Sequence, residues 1–300
     1  MNGKRNQLFS EIWRACYPVL TYYGVYYFVF ILAGILGLTF SMVALERSGA
    51  VIDYYLLVEE TANWIARYSV EISACTALLA LVPLTLYFRM DSRQHSETAF
   101  VYEPVNPAGF VLALLLGAAA CLAVNSLMHL SGLMGTYAEN ADEVAEALYQ
   151  GHLIPELIGI GVLTPVAEEL LFRGLVMRRL KEWLPPQAAL VASAVVFGLY
   201  HGNLLQVLYG TAMGLLFGFL YEKYHHILAP VLAHIGANLV SVAASESGIL
   251  DGVLREDFSL IACSALSCLA LVGLLWAVEK WINPSLVQSG TESTEEPPEA

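Results

Sequence analysis

The chain has 300 residues, of which 57% are hydrophobic and only 14% are charged. Soluble domains carry roughly 25% charged residues, so this composition cannot cover a water-facing surface. It excludes a soluble globular enzyme, a nucleic-acid-binding protein and a disordered chain, and it predicts a polytopic membrane protein. The net charge of −13 likewise gives the whole chain no attraction for nucleic acid.

Eight apolar runs predict an all-α bundle of about eight transmembrane helices, because a backbone in lipid must satisfy its hydrogen bonds internally. A helix needs about 20 residues to cross the hydrocarbon, so the fifth run is short. In chain order, the runs are 18–44, 70–88, 109–128, 154–172, 188–201, 204–221, 227–244 and 260–278.

The basic residues predict the orientation of these spans. With eight spans and the N-terminus inside, eleven of the 14 Lys and Arg residues fall in inside segments and three fall outside. This bias fits the positive-inside rule, so both termini are predicted to be cytoplasmic. The three outside residues are Arg47, Arg67 and Arg255.

The spans divide the chain into four parts. Residues 1–150 hold the first three spans and have no motif that assigns them a role. Residues 151–245 hold spans four to seven, and residues 246–282 hold the last span. Residues 283–300 are polar and acidic, and they predict a disordered tail.

Ionisable residues inside apolar spans are costly, and here they gather in spans four to seven. Glu169 and Arg173 lie four residues apart and so share a helix face, which favours an internal ion pair that makes the helix insertable. Glu168 points elsewhere and has no basic residue three or four positions away. An acid buried without a cation is suited to act as a general base near neutral pH.

Two histidines and an asparagine complete the set. His201 ends the fifth span, where a lone histidine is more often a cap than a catalyst. His234 and Asn238 lie four residues apart in the seventh span and therefore stack on one helix face. Together with Glu168, this face predicts a functional site.

The residues are compatible with two kinds of site, a glutamate-based hydrolase site and a zinc site. The chain has no HExxH, no GxSxG and no pair of aspartates in apolar spans, so three hydrolase arrangements are missing. Glu168 as a general base with His and Asn donors to an oxyanion would suffice for peptide hydrolysis. Glu168, His201 and His234 would also suffice as zinc ligands.

Three motifs carry a family resemblance: Glu168-Glu169-x-x-x-Arg173, Phe197-x-x-x-His201 and His234-x-x-x-Asn238. In this order they resemble the CAAX-protease and bacteriocin-processing (CPBP, or Abi) family, whose type II CAAX prenyl endopeptidase branch is called Rce1-like. The resemblance covers less than a third of the chain.

The resemblance implies a role for each motif residue. Glu168 would activate water with help from His201, and His234 and Asn238 would form the oxyanion hole. Glu169, Arg173 and Phe197 would be supporting residues. No cofactor is expected on this basis, although zinc remains possible.

The leading hypothesis is therefore an intramembrane endopeptidase of the cell membrane that cleaves a membrane-associated protein or peptide. The substrate would be a lipidated protein, a leader peptide or a protein with a sorting signal. The alternative is a transporter, or an immunity or scaffolding protein, that uses the same polar site for binding. Because Glu168 and His234 lie near the predicted cytoplasmic ends of their spans, the chamber is expected to open toward the cytoplasm. The sequence does not predict the oligomeric state.

Overall fold

The computed structural model describes residues 2–49, 51, 53–94, 105–136, 153–247, 253 and 257–282, and all regular structure in these ranges is helical. Six of the helices are long and apolar enough to cross a membrane. The chain is therefore a multi-pass, all-α integral membrane protein. The helices are α1 (Asn2–Ser48), α2 (Tyr54–Arg67), α3 (Ser69–Gln94), α4 (Pro107–Leu130), α5 (Leu133–Thr136), α6 (153–180), α7 (Pro186–Tyr200), α8 (Leu204–Tyr224), α9 (Leu228–Ser247) and α10 (Asp257–Trp281).

Two predicted spans take unusual forms. The fourth is α6, a continuous run in which α-helical turns alternate with two π-helical segments, Gly159–Leu163 and Leu170–Met177. The fifth is α7, which has only 15 residues. The other six predicted spans correspond to the six long helices. The predicted tail, 283–300, lies outside the described residues.

Helix α2 was not predicted, because it lacks a long apolar run. The side chain of Asp53 caps its N-terminus by accepting a hydrogen bond from the Leu56 amide at 2.8 Å. Trp64 of α2 packs closely against Gly37 of α1. A Cβ added to Gly37 would lie only 2.8 Å from the indole ring. Helix α2 is therefore an amphipathic helix that packs against the outer part of α1.

Glycines permit the two closest helix contacts near the site. In α4, a Cβ on Gly117 would lie 1.7 Å from the carbonyl oxygen of Ala233 in α9. In α9, a Cβ on Gly236 would lie 2.1 Å from the carbonyl oxygen of Leu114. The two backbones thus cross in direct contact, as small residues allow in membrane helices.

The repeated glycines of α8 pack within the same chain. Gly210, Gly214 and Gly218 face α7, where a Cβ on each would meet Gly198, Ala194 and Leu190 respectively. This seam fixes α7 against α8 and thereby positions His201 at the end of α7.

Four ion pairs connect five segments near the same end of the helix bundle, and we call these four pairs the ionic layer. It connects α1, α3, the end of α6 with the turn after it, α8 and α10. Its pairs are Arg14–Glu182 at 2.6 Å, Arg179–Asp91 at 2.7 Å, Lys181–Glu222 at 2.8 Å and Lys223–Glu279 at 2.7 Å. All of its basic residues belong to the group that the charge bias assigns to the cytoplasmic side.

Candidate active site

A cavity of about 420 Å³ lies among the helices, and the four predicted catalytic residues all line it. Glu168 comes from α6, His201 follows α7, and His234 and Asn238 come from α9. The structure therefore brings together three motifs that are separated along the chain. Phe197 also lines the cavity, whereas Glu169 and Arg173 lie behind its wall.

The predicted pair of Glu169 and Arg173 is present and completely buried, with both side chains 0% exposed. Arg173 Nη1 donates to Glu169 Oε1 at 2.9 Å, and Nη2 donates to the Gly214 carbonyl at 2.9 Å. The guanidinium also lies 4.8 Å from the Phe197 ring centroid and 5.4 Å from that of Phe217. These contacts hold Arg173 rigidly, and Arg173 in turn fixes Glu169.

Glu168 has a different environment although it is the adjacent residue. Its side chain faces the cavity, and its residue is 4% exposed. Its nearest ionisable neighbour across the site is His234, with 3.8 Å between Glu168 Oε2 and His234 Nε2. That separation is longer than a hydrogen bond. Glu168 is therefore close to His234 without being bound to it.

His234 is oriented from two sides. Its Nδ1 lies 2.9 Å from Glu169 Oε1, and its ring stacks on Phe217 with centroids 4.6 Å apart. Because an ionised carboxylate only accepts hydrogen bonds, the proton is assigned to Nδ1 on the basis of this partner. Nε2 is then the atom directed toward Glu168.

His201 is fixed by the backbone of its own helix. Its Nδ1 donates to the Phe197 carbonyl at 2.8 Å, since a carbonyl oxygen can only accept. Gly202, with a φ of +86°, then turns the chain into α8. Because α7 is short and its seam with α8 is tight, His201 lies at the cavity, at the same site as Glu168 and His234.

Asn238 lies one turn beyond His234 on the same face of α9, as predicted. Its Nδ2 donates to the Ile160 carbonyl at 2.8 Å. Ile160 belongs to the first π-helical segment of α6, and such segments often occur at functional sites. An amide nitrogen carries two hydrogens, so a second donor remains on Asn238 for a ligand.

The described residues do not assemble a metal site. Among them, no three His, Cys, Asp or Glu side chains are grouped closely enough to hold a metal ion. The zinc alternative, with Glu168, His201 and His234 as ligands, stays a prediction to be tested.

The first half of the chain contributes residues to the cavity that sequence reasoning missed. Tyr22 and Tyr26 of α1, Thr76 of α3 and Asn125 of α4 line it. Tyr22 also packs edge-to-face on Tyr200, with ring centroids 5.6 Å apart. The signal was present in the sequence, because Tyr22 and Tyr26 are four residues apart and so share one helix face.

The position of the cavity corrects one expectation. It extends from the predicted catalytic residues away from the ionic layer, so under the predicted orientation it does not open toward the cytoplasm. The predicted fourth span ended at Phe172, whereas α6 continues to Leu180. Leu175 and Met177, whose side chains are buried, lie on the turns of α6 between Glu168 and the helix end at Leu180.

Fold and site define a polytopic helical membrane protein that encloses a cluster of Glu, His and Asn side chains. Residues 150–240 match the family described as type II CAAX prenyl endopeptidase Rce1-like. The match confirms the resemblance drawn from the three motifs, and we call this part of the chain, which is similar to that family, the Rce1-like region.

One curated relative is the Bacillus subtilis (strain 168) protein named "Putative membrane peptidase YdiL", which is 31% identical over 105 residues. The match covers 35% of this chain and 42% of the relative, so the chain spans less than half of that protein. No solved structure matches the chain.

Proposed function

We propose that the protein is an intramembrane endopeptidase that hydrolyses a peptide bond of a membrane-associated protein, with Glu168 as the general base. The observation that carries the proposal is the convergence of Glu168, His201, His234 and Asn238 on one cavity. The Rce1-like region and the name of the Bacillus relative support a membrane peptidase.

The reaction begins with a water molecule held between Glu168 and His201. His201 Nδ1 is engaged by Phe197, so Nε2 is the nitrogen that orients the water. Glu168 takes a proton from the water as the oxygen attacks the substrate carbonyl carbon. The C–O bond forms, and the carbonyl π electrons move onto the oxygen to give a tetrahedral oxyanion.

The oxyanion is stabilised by donors from α9. Asn238 offers its second Nδ2 hydrogen, while the first stays bonded to Ile160 and fixes the amide. His234 donates from Nε2 when the ring carries two protons, and Glu169 on Nδ1 holds the ring in that orientation. Collapse of the intermediate breaks the C–N bond, and Glu168 returns its proton to the leaving amine.

Glu169 and Arg173 act through His234. The ion pair is buried and its carboxylate oxygen Oε1 contacts both Arg173 and His234. A fixed Glu169 holds the imidazole in one tautomer and one orientation. We therefore assign these two as positioning residues.

The test compares Glu168→Gln with Glu222→Gln in reconstituted membranes supplied with membrane-anchored peptides. Glu168→Gln removes the base and is expected to lower the cleavage rate by about 10²–10⁴-fold. Glu222 belongs to the ionic layer, so Glu222→Gln should cleave like the parent chain. Undiminished cleavage by folded Glu168→Gln would overturn the proposal. Peptide binding without cleavage by the parent would favour the non-enzymatic alternative.

A further inference from the structure

The position of the cavity relative to the ionic layer follows from helices that contribute residues to both. In α8, Gln206 lines the cavity and Glu222 belongs to the ionic layer, about 24 Å away at 1.5 Å per residue. In α3, Ser73 lines the cavity about 27 Å from Asp91 of the ionic layer. The cavity therefore reaches the end of the bundle opposite to the ionic layer.

A third helix shows the same direction. In α4, Gly109 lies near the ionic layer, because its carbonyl accepts a hydrogen bond from Tyr224 at 2.8 Å, next to Lys223. Asn125 lines the cavity about 24 Å further along α4. Three helices from different parts of the chain thus place the polar lining at the same end.

The space between the catalytic residues and the ionic layer is filled. Phe172, Leu175, Phe217, Leu220 and Tyr221 are at most 2% exposed. These side chains come from the parts of α6 and α8 that lead to the ionic layer, and Phe217 among them lines the cavity, so we call them the floor of the cavity. In the part of the chain that the structure describes, they close the direct path from Glu168 to the ionic layer.

The opposite end of the cavity is polar and partly exposed. Ser73, Asn125, Gln206 and Ser241 line the cavity there, and each is half-buried rather than buried. The turn at residues 201–203 between α7 and α8 lies at this same end. Amide and hydroxyl groups of this kind can hydrogen-bond an extended peptide backbone. We call these four residues the polar mouth.

Sidedness follows from the charges. The ionic layer holds Arg14, Arg179, Lys181 and Lys223, and an excess of Lys and Arg marks the cytoplasmic side of a membrane protein. The polar mouth then faces the non-cytoplasmic side. A peptide arriving from the cytoplasm would meet the packed floor, whereas one on the other side would meet the polar mouth.

We infer that the substrate is a membrane-anchored polypeptide whose cleaved bond lies on the non-cytoplasmic side and enters through the polar mouth. The inference rests on the proposed endopeptidase function and adds the side from which the substrate comes. It separates this chain from an enzyme that trims a lipidated C-terminus in the cytoplasm. Substrates of the matching class are translocated segments that stay anchored after export.

The first experiment measures the orientation of the cavity without using activity. Gln206→Cys and Glu222→Cys are introduced singly into a full-length variant whose five native cysteines are replaced by Ala. Both lie on α8, so they form a matched pair. In intact bacterial spheroplasts, a membrane-impermeant maleimide should label Gln206→Cys, and it should label Glu222→Cys only after permeabilisation. The reverse pattern would overturn the inference. Equal thermal unfolding of the two variants and the parent checks that they fold.

The second experiment locates the cleaved bond. Two single-span reporters carry the same short randomised segment, one on the non-cytoplasmic side and one on the cytoplasmic side of the span. Each is expressed with the parent protein or with Glu168→Gln. Glu168-dependent cleavage of the non-cytoplasmic reporter alone is the expected result. Glu168-dependent cleavage of the cytoplasmic reporter would overturn the inference and leave the proposed function standing.

The remaining outcome separates the two proposals. If neither reporter is cleaved while the labelling places Gln206 on the non-cytoplasmic side, the orientation stands and the result counts against the endopeptidase function. The failure of either proposal is thus distinguishable from the failure of the other.

Discussion

The two ends of the same helices differ in packing and in polarity. In the ionic layer, four basic residues are paired with acids, and the space between the helices nearby is filled by buried aromatic and aliphatic side chains. Toward the polar mouth, the helices separate around a cavity lined by hydroxyl, amide and imidazole groups. We call the end at the ionic layer the packed end and the end at the polar mouth the open end. The close packing of the first fixes the helices, so that the second can hold polar side chains around a cavity.

The boundary between the two ends passes between two adjacent residues. Glu169 is bound by Arg173 and His234 and belongs to the packed end. Glu168 faces the cavity and lies 3.8 Å from His234. A glutamate side chain is thus a structural anion at position 169 and the proposed base at position 168. The difference comes from the groups that surround each carboxylate.

The strongest expected effect comes from removing the cation of the packed end. Arg173→Met leaves Glu169 as a buried charge without its partner, so we expect a loss of about 3–5 kcal/mol in the free energy of unfolding. Thermal unfolding in detergent, followed by tryptophan fluorescence, measures it. Arg14→Met is the control, because its partly exposed pair with Glu182 is worth about 0.2–1 kcal/mol. Equal effects of the two substitutions would mean that the buried pair is not a structural centre.

Asn238→Ala tests the open end. It removes a proposed oxyanion donor, so kcat should fall by about 10²–10³-fold with little change in KM. The measurement is steady-state cleavage in proteoliposomes. Ser241→Ala, which lines the same cavity from the same helix, should have a much smaller effect on kcat. A loss confined to KM would move Asn238 from transition-state stabilisation to substrate binding.

Gly117→Ala tests whether the packed end positions the open one. The new Cβ would lie 1.7 Å from the Ala233 carbonyl, next to His234, so α9 must move. We expect a destabilisation of about 1–3 kcal/mol together with reduced cleavage. Gly273→Ala in α10 meets nothing within 4 Å and serves as the control. Full activity of Gly117→Ala would show that the site tolerates a shift of α9.

The smallest expected effect is that of a chelator. Since the described residues assemble no three-ligand metal site, cleavage should be unchanged after treatment with EDTA or phenanthroline. A zinc peptidase assayed in the same membranes should lose its activity and so validates the treatment. Loss of cleavage that zinc restores would instead assign Glu168, His201 and His234 as ligands.

Much of this architecture could be predicted from the sequence. Apolar runs predict helices in lipid because the backbone has no other way to bond, and the spacing of Glu169 and Arg173 predicts their pair. The i,i+4 spacing likewise predicts that His234 and Asn238 share a face. These are local rules, and the structure confirms what they place on a single helix.

Contacts between helices were harder to predict. The bond from His234 to Glu169, and the one from Asn238 to a carbonyl in a π-helical segment, depend on crossings that no local pattern encodes. The expected opening of the chamber toward the cytoplasm was wrong for a related reason, because the apolar run at residues 154–172 did not show that α6 continues to Leu180. The tyrosines of α1 were not predicted to line the cavity, although the spacing of Tyr22 and Tyr26 places them on one helix face.

The last helix has a consequence for how the protein is made. The described cavity-lining residues all precede α9's end, the last of them being Ser241, and none comes from α10. Yet Lys223 in the ionic layer has its partner, Glu279, on α10. Because synthesis runs from the N-terminus to the C-terminus, the proposed catalytic groups are all made before α10, which then supplies the counter-charge for Lys223. Helix α10 thus pairs a charge of the bundle that holds the site, although none of its described residues lines the cavity.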